Sequence, residues 1–390
     1  MYRTFFFPLF INIIYKGEKM IYFDNAASGY FKPSASVAAA EYAAKQLSVN
    51  AGRSSHRLAV KAEKEIYSTR KLFSESFSSG KAERVIFTSN CSEALNFAIL
   101  GLKLRYGEIV TSVTEHNSVL RPLYHLKESG VNLRFAGFSD KPFIKAEDLL
   151  SLVTAKTDFV VLNAVSNVTG YKNEFEKIGK RLAELDIPFI VDGAQAGGHM
   201  PINMKENGIT CLCLAGHKGL MGVQGAGVLL FDENAEIAPV KFGGSGTESF
   251  LPKPTYYPEL LEVGTLNLPA ILSLKAGLGY VIERGDVIAE TLFSLTEVLI
   301  KKLGELPAIK VYSEPNRFGI VSFSDERLDS AALADYLSER FDIATRGGFH
   351  CAPLIHKALK TDIGGLLRVS FSPFNKEEEI FPLIDALKSY

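Results

Sequence analysis

Two residues able to share one piece of chemistry are Asp192, in "VDGAQAGGH", and Lys218, in "LAGHKGLMGVQGAG". Each ends a short apolar run of strand character. Both side chains are therefore expected in the same crevice at the carboxyl ends of the strands, where open α/β sheets bind ligands. A lysine and a carboxylate so placed suit pyridoxal phosphate. The lysine attaches the cofactor, and the acid keeps the pyridinium nitrogen protonated so that the ring acts as an electron sink. Taken singly, Lys218 reads as a surface lysine and Asp192 as a capping residue. The small residues around Lys218 favour the pairing, because they let backbone and cofactor approach closely.

A third candidate, Cys351, stands in "TRGGFHCAP", after Gly347-Gly348, beside His350 and near Arg346. The glycines permit a mobile loop. His350 and Arg346 would favour the thiolate, which is the nucleophilic form of cysteine. An inert cysteine would sit inside an apolar run, as Cys211 and Cys213 do in "TCLCLAGHKG", where both read as core. A lone Cys-x-Cys pair is poor evidence for structural zinc, which takes four ligands, and no metal site is expected. With Cys91 the four cysteines show no disulfide-framework spacing, so a reducing compartment, the cytoplasm, is expected.

The elements that position these residues alternate. "RVIFTSN" leads into "SEALNFAILGLKL", "EIVTSVTEH" into "SVLRPLYHLKES", and "DFVVLNAVSN" into "EFEKIGKRLAELD". The strand-like "PFIVDGAQ", "TCLCLAGHKG" and "AGVLLFD" follow. This pattern predicts an α/β domain with a mainly parallel sheet. Past Asp232 the Gly- and Pro-rich "KFGGSGTESFLPKPTYYPELLEVGTLNLP" reads as a long ordered loop of functional character. Helical periodicity resumes from Ile271 to about Leu306, with a break expected near Gly285. The remainder suggests a smaller α+β domain. The expected division is an extension over 1–19, a segment over 20–34 that joins the small domain, a large domain over 35–280, and a small domain over 281–390 carrying the Cys351 loop.

At 390 residues and 47% hydrophobic content the chain can build substantial cores. A formal charge of -1, with no long basic run, argues against a nucleic-acid partner. The apolar run Phe5 to Tyr15 is too short for a membrane span of about 20 residues. It lacks a cleavage site before Lys16, so it reads as an extension ahead of Met20 rather than a signal sequence.

Nine segments in order, "DNAASG", "FTSNCSEALN", "TEHNSVLRP", "SNVTG", "VDGAQ", "GHKG", "EVGTLN", "RGGFHCAP" and "RVSFSPFN", resemble the class V aminotransferase-fold family, in its cysteine desulfurase and selenocysteine lyase branch. The resemblance implies PLP-dependent transferase fold type I, with a seven-stranded-type sheet. It implies that Lys218 holds pyridoxal 5'-phosphate, Asp192 pairs with the ring nitrogen and His116 stacks on the ring. Asn167 and Gln195 would hydrogen-bond near the phenolic oxygen. Cys91, Ser92 and His217 would serve the phosphate, where a helix start favours an anion. Thr265 would reach the same phosphate from a neighbouring subunit, which implies a homodimer. Arg368, Asn25, Ala26, Arg346 and His56 would lie on the substrate side, His56 within a segment with Asn50 and Arg53; a histidine at a helix start also reads as a cap. Ala215 and Cys91 stand where the family commonly has hydroxyl residues, which puts one or two phosphate hydrogen bonds in doubt.

The reaction so implied converts L-cysteine to L-alanine. Arg368 takes the carboxylate, Lys218 moves the Cα proton, Cys351 accepts the sulfur as a persulfide and His116 shuttles a proton. An acceptor protein then receives the sulfur. A selenocysteine lyase, or an aminotransferase or epimerase, is the enzymatic alternative on this scaffold, and a fold retained without chemistry is the non-enzymatic one. Transamination needs no thiol, so Cys351 weighs against it.

Overall fold

The computed structural model describes residues 20–52 and 54–390. The extension over 1–19 and Arg53 lie outside the described residues. Strand β1, Ile21–Tyr22, stands apart from the next seven strands. Those are β2 (Val85–Thr88), β3 (Glu108–Ser112), β4 (Asn132–Ala136), β5 (Thr157–Asn163), β6 (Phe189–Asp192), β7 (Cys211–Ala215) and β8 (Gly227–Phe231), and they form one sheet in the order β2-β8-β7-β6-β5-β3-β4. Only β8 runs antiparallel to its neighbours, so the sheet is mainly parallel, as the alternating pattern predicts.

The sheet is buried on both faces, which is why β5, β6, β7 and β8 are buried along their whole lengths and read as near-continuous apolar runs. Parallel neighbours need crossover connections, and amphipathic helices supply them. The Phe175–Glu184 helix, between β5 and β6, turns Phe175, Ile178, Gly179 and Leu182 inward at helical spacing. Edge strand β4 escapes a reading by apolar pattern, because only its last residue, Ala136, is buried.

The C-terminal part holds β9 (Ile309–Val311), β10 (Ile320–Asp325), β11 (Ile343–Ala344) and β12 (Leu367–Ser370). β12, β10 and β9 make an antiparallel sheet, while β1 pairs in parallel with β11. A bridge between Asp24 and Ser370 continues that union, so the segment after Met20 is stitched into the C-terminal part.

One helix, Leu268–Leu303, serves both cores over 36 residues. Leu268 to Leu278 pack into the core of the main sheet, and Ile288 to Leu303 into the C-terminal core. The break expected near Gly285 does not occur. An interior glycine costs a helix only about 1 kcal/mol, and burial at both ends outweighs that. The Gly- and Pro-rich stretch ahead of this helix is a loop without regular strands or helices, as its composition predicts. Among the described residues no helix is long and apolar enough to cross a membrane.

Candidate active site

The carboxyl ends of the parallel strands, two helix starts and two C-terminal segments converge on a cavity of about 250 Å³. Ala26, Cys91, Ser92, His116, Asn167, Asp192, Gln195, His217, Lys218, Arg346, Cys351 and Arg368 all line it. Three sequence-predicted residues are not among its walls: Asn25, His56 and Thr265.

Asp192 ends β6, and Lys218 follows β7, which pairs with β6 at Asp192 and Cys213. Asp192 accepts the backbone N–H of Ala194 at 2.9 Å and lies 3.7 Å from the Cys91 thiol. Burial pushes its carboxyl above the usual range, against the Ala194 hydrogen bond and the charge of Lys218. Burial likewise lowers Lys218, with Asp192 opposing. Its amine makes no hydrogen bond or ion pair among the described residues, which leaves it free for a ligand. The glycines beside it answer to neighbouring backbone. A Cβ on Gly216 would meet the Ala226 carbonyl at 2.5 Å, and one on Gly219 the Gly197 carbonyl at 2.4 Å. Close packing of the turn requires those glycines.

The phosphate-side residues gather at the start of the Cys91–Gly101 helix, capped by Asn90, which accepts the Glu93 N–H at 3.0 Å. Ser92 shares a hydrogen bond with Ser118, Oγ to Oγ at 2.6 Å. His116 caps the Asn117–Glu128 helix: its Nδ1 accepts the Ser118 N–H at 3.0 Å, and the Ser118 hydroxyl lies 2.9 Å from the same nitrogen. Acceptance at Nδ1 assigns the ring proton to Nε2. Burial, then the charge of Lys218, lowers His116 to about 4, so the ring is neutral at ordinary pH. His217 is lowered to about 4 for the same reasons, and its Nδ1 meets the Ser28 hydroxyl at 3.1 Å. The carbonyl of His217 accepts Lys32 Nζ at 2.7 Å and the Gly29 N–H at 3.1 Å. Ser118, Ser28 and Lys32 were not singled out from sequence, although Ser118 and Ser28 sit inside the quoted segments.

On the other side, Arg368 lies fully buried in β12. Its Nη2 donates to Asp24 Oδ1 at 2.7 Å and its Nη1 to the Asn167 carbonyl at 2.9 Å. Arg346 and Arg368 exchange backbone hydrogen bonds of 3.2 and 2.8 Å, which pairs the two residues in an antiparallel bridge. Gln195 Nε2 donates to the Ala26 carbonyl at 3.0 Å. Asn25 anchors the N-terminal segment beneath the cavity, its Nδ2 donating to the Ser370 carbonyl at 3.0 Å and to Asn375 Oδ1 at 3.2 Å. His56 is a cap: its Nδ1 accepts the Ala59 N–H at 3.2 Å at the start of the Arg57–Phe77 helix. Of the two readings the sequence allows for it, the chain's own contacts carry the capping one.

Cys351 is exposed, with Arg346 Nη2 3.8 Å from its sulfur. His350 also lines the cavity. It is 3% exposed, stands 5.8 Å from the His356 ring, and is held well below the usual histidine range by burial and by Arg368. A neutral imidazole supplies no positive charge, so the expected pair of thiolate-stabilising groups reduces to Arg346. Of the two glycines of the loop, Gly347 is a packing position, and Gly348 takes a positive φ of 100° with open space around it. A Cβ on Gly347 would lie 2.1 Å from the Ser330 carbonyl, and the Asn117 N–H holds the Cys351 carbonyl at 2.6 Å.

Thr265 is exposed in a separate cleft with Glu93, Lys241 and Asn267. Buried Glu262 secures that loop through an ion pair with Arg70 at 2.5 Å and by accepting the Phe87 N–H at 2.7 Å.

The pattern of the Aminotransferase class-V family matches residues 21–383. The chain belongs to that family. A "Probable cysteine desulfurase" of Pyrococcus abyssi is 33% identical, covering 95% of this chain and 94% of that one. Another, of Methanothermobacter thermautotrophicus, is 30% identical over 88% of each chain. The apo structure of the cysteine desulfurase from Thermococcus onnurineus NA1 superposes with a TM-score of 0.86 at 31% identity, over 95% of this chain and 94% of that chain. The architecture is fold type I of the PLP-dependent transferases, and within the family the chain falls in the cysteine desulfurase branch.

Proposed function

We propose that this protein is a PLP-dependent cysteine desulfurase, converting L-cysteine to L-alanine with a persulfide on Cys351. The observation that carries the reading is an exposed thiol in the wall of the cavity that also holds Lys218, Asp192 and Arg368. An aminotransferase or an epimerase has no use for that thiol.

The residues fit the cofactor. Lys218 offers an unpaired amine with lowered proton affinity, Asp192 a buried carboxylate, and Asn167 a buried Oδ1 without a partner, which is the signature of a site built for a polar ligand. The start of the Cys91–Gly101 helix, with the Ser92 hydroxyl, suits a phosphate. Ala215 brings no hydroxyl, and the Cys91 thiol is turned to Asp192, so Ser92, His217 and backbone N–H groups carry that anion. Bound there, pyridoxal phosphate supplies an electron sink that acidifies the substrate Cα–H and weakens its Cβ–S bond.

The chain's own groups do the rest. Arg368, whose Nε has no partner, receives the substrate carboxylate. Lys218 takes the Cα proton, burial favouring the neutral form of its amine. Cys351 attacks the substrate sulfur as thiolate, with Arg346 beside it. The new S–S bond forms as the Cβ–S bond breaks, the carbon keeps the electron pair, and a proton completes L-alanine. Neutral His116 moves a proton through Nε2.

The active unit in this reading is a cytoplasmic homodimer in which Thr265 of each chain completes the other chain's phosphate site; its exposure away from its own cavity supports that. The persulfide sulfur passes to an acceptor thiol, in the service of iron–sulfur cluster assembly or a related use. Incubation with L-cysteine, L-selenocysteine and L-alanine separately tests the reading. Alanine and persulfide from L-cysteine are expected, and turnover confined to L-selenocysteine would assign a lyase instead.

A further inference from the structure

A second hollow, of about 470 Å³, opens outward between the Cys91–Gly101 and Asn117–Glu128 helices and shares Ser92, His116, Ser118 and Cys351 with the first. Asn96, Arg121 and His125 line its outer wall, and no carboxylate does. Neighbouring polar groups are engaged: Asn96 Nδ2 donates to the Ser92 carbonyl at 2.7 Å, Ser92 meets Ser118, and His125 lies 3.8 Å from Glu128. The Arg121 guanidinium, by contrast, enters no ion pair or hydrogen bond among the described residues. The bond from the Asn117 N–H to the Cys351 carbonyl ties the backbone of Cys351 to the very helix that carries Arg121. An uncommitted cation therefore stands in the wall of a hollow onto which the thiol opens. Its volume suits a small molecule, for which pockets run roughly 300–1,000 Å³.

We propose that this outer hollow is the discharge site for a small thiol bearing a carboxylate, which takes the sulfur from Cys351 while Arg121 holds its anionic group. The proposal rests on the desulfurase reading, which loads Cys351 with a persulfide. The acceptor thiolate attacks the outer sulfur of that persulfide and forms a new S–S bond. The bond between the two persulfide sulfurs breaks, and its electron pair leaves with Cys351 as thiolate. The acceptor departs as its own persulfide, keeping the outer sulfur and its proton. No outside oxidant or reductant is needed, because the exchange follows the ordinary course of thiolate attack on a sulfur–sulfur bond. Arginine suits this task, since its planar fork meets a carboxylate through two hydrogen bonds.

The test uses holoenzyme loaded with L-cysteine and freed of excess substrate, with the persulfide on Cys351 counted by mass before any acceptor is added. Discharge is then timed with 3-mercaptopropionate and with its uncharged amide, in the parent, in Arg121→Gln and in Arg121→Lys. The acid-to-amide rate ratio in the parent is expected to exceed that in Arg121→Gln by about tenfold, with Arg121→Lys keeping most of the preference and added salt eroding it. Equal ratios in the parent and in Arg121→Gln would overturn the proposal. Discharge to an acceptor protein, with none to either small thiol, would overturn it too. Absence of persulfide at the loading step would instead remove the desulfurase reading, and this proposal with it.

Discussion

Arg368 is locked to Asp24 at 2.7 Å across 344 positions of sequence, a buried cation held by a carboxylate from the opposite end of the described chain. The contact aims the guanidinium and leaves its Nε for a ligand. Asp24→Asn keeps the shape and removes the charge. Breaking a buried pair in this way costs about 3–5 kcal/mol, so a lower Tm is expected. The KM for L-cysteine should rise about tenfold with a smaller change in kcat. Steady-state kinetics with a thermal melt check this, and an unchanged KM would show that Asp24 does not aim Arg368.

Lys218→Ala should abolish turnover while the cavity still takes up free cofactor through Asp192 and the phosphate-side donors. In the parent, borohydride reduction should fix the cofactor covalently to Lys218, read by peptide mass. Labelling of any other lysine would contradict the assignment.

Glu115, next to His116 in sequence, gives a prediction in pH. Its buried carboxyl accepts the Ser112 hydroxyl at 2.5 Å and the Asn163 N–H at 3.1 and 3.0 Å, and burial raises it from the usual range to about 8. Between the ordinary carboxylate range and pH 8 the folded chain keeps this proton and the unfolded chain does not. Stability from this group therefore falls as pH rises through that window, and levels off above it. Glu115→Gln retains the acceptor oxygen and removes the titration. Its Tm relative to the parent should rise by several degrees between pH 5 and pH 8, and a constant difference across that range would show that Glu115 titrates normally.

Residues that end apolar strands were legible from sequence. The strand pattern was enough to expect Asp192 and Lys218 on one cavity, and the polar loop to expect Cys351 outside the apolar core. Contacts made between distant segments were not. Nothing local marks Asp24 as the partner of Arg368, or Glu262 as the partner of Arg70 that secures the Thr265 loop. The burial of His350 and the Arg368 charge near it arise only in the folded chain, so its proximity to Cys351 in sequence misleads about its charge. Gly216 and Gly347 look like flexible or accommodating positions, yet each meets a carbonyl that only the folded chain brings near. Gly285 resembles a helix stop because the two cores that span it are invisible in a window of a few residues.

Sharing of sites between subunits can be tested by mixing two defective chains. Lys218→Ala and Thr265→Ala each lose activity alone. In a mixed dimer both lesions fall on one site if Thr265 serves the partner, leaving the other intact. Recovery of up to half of the parent activity per mixed dimer is expected, and no recovery after proven subunit exchange would count against the shared site.

The most direct test of the central claim is Cys351→Ser challenged with L-cysteine. Binding of the substrate and removal of its Cα proton rest on Arg368 and Lys218, so the cofactor absorbance should still change on addition of L-cysteine. Alanine formation should fall by at least about a hundredfold, while in the parent a mass increase of one sulfur atom maps to Cys351. Undiminished alanine production by Cys351→Ser would contradict the account.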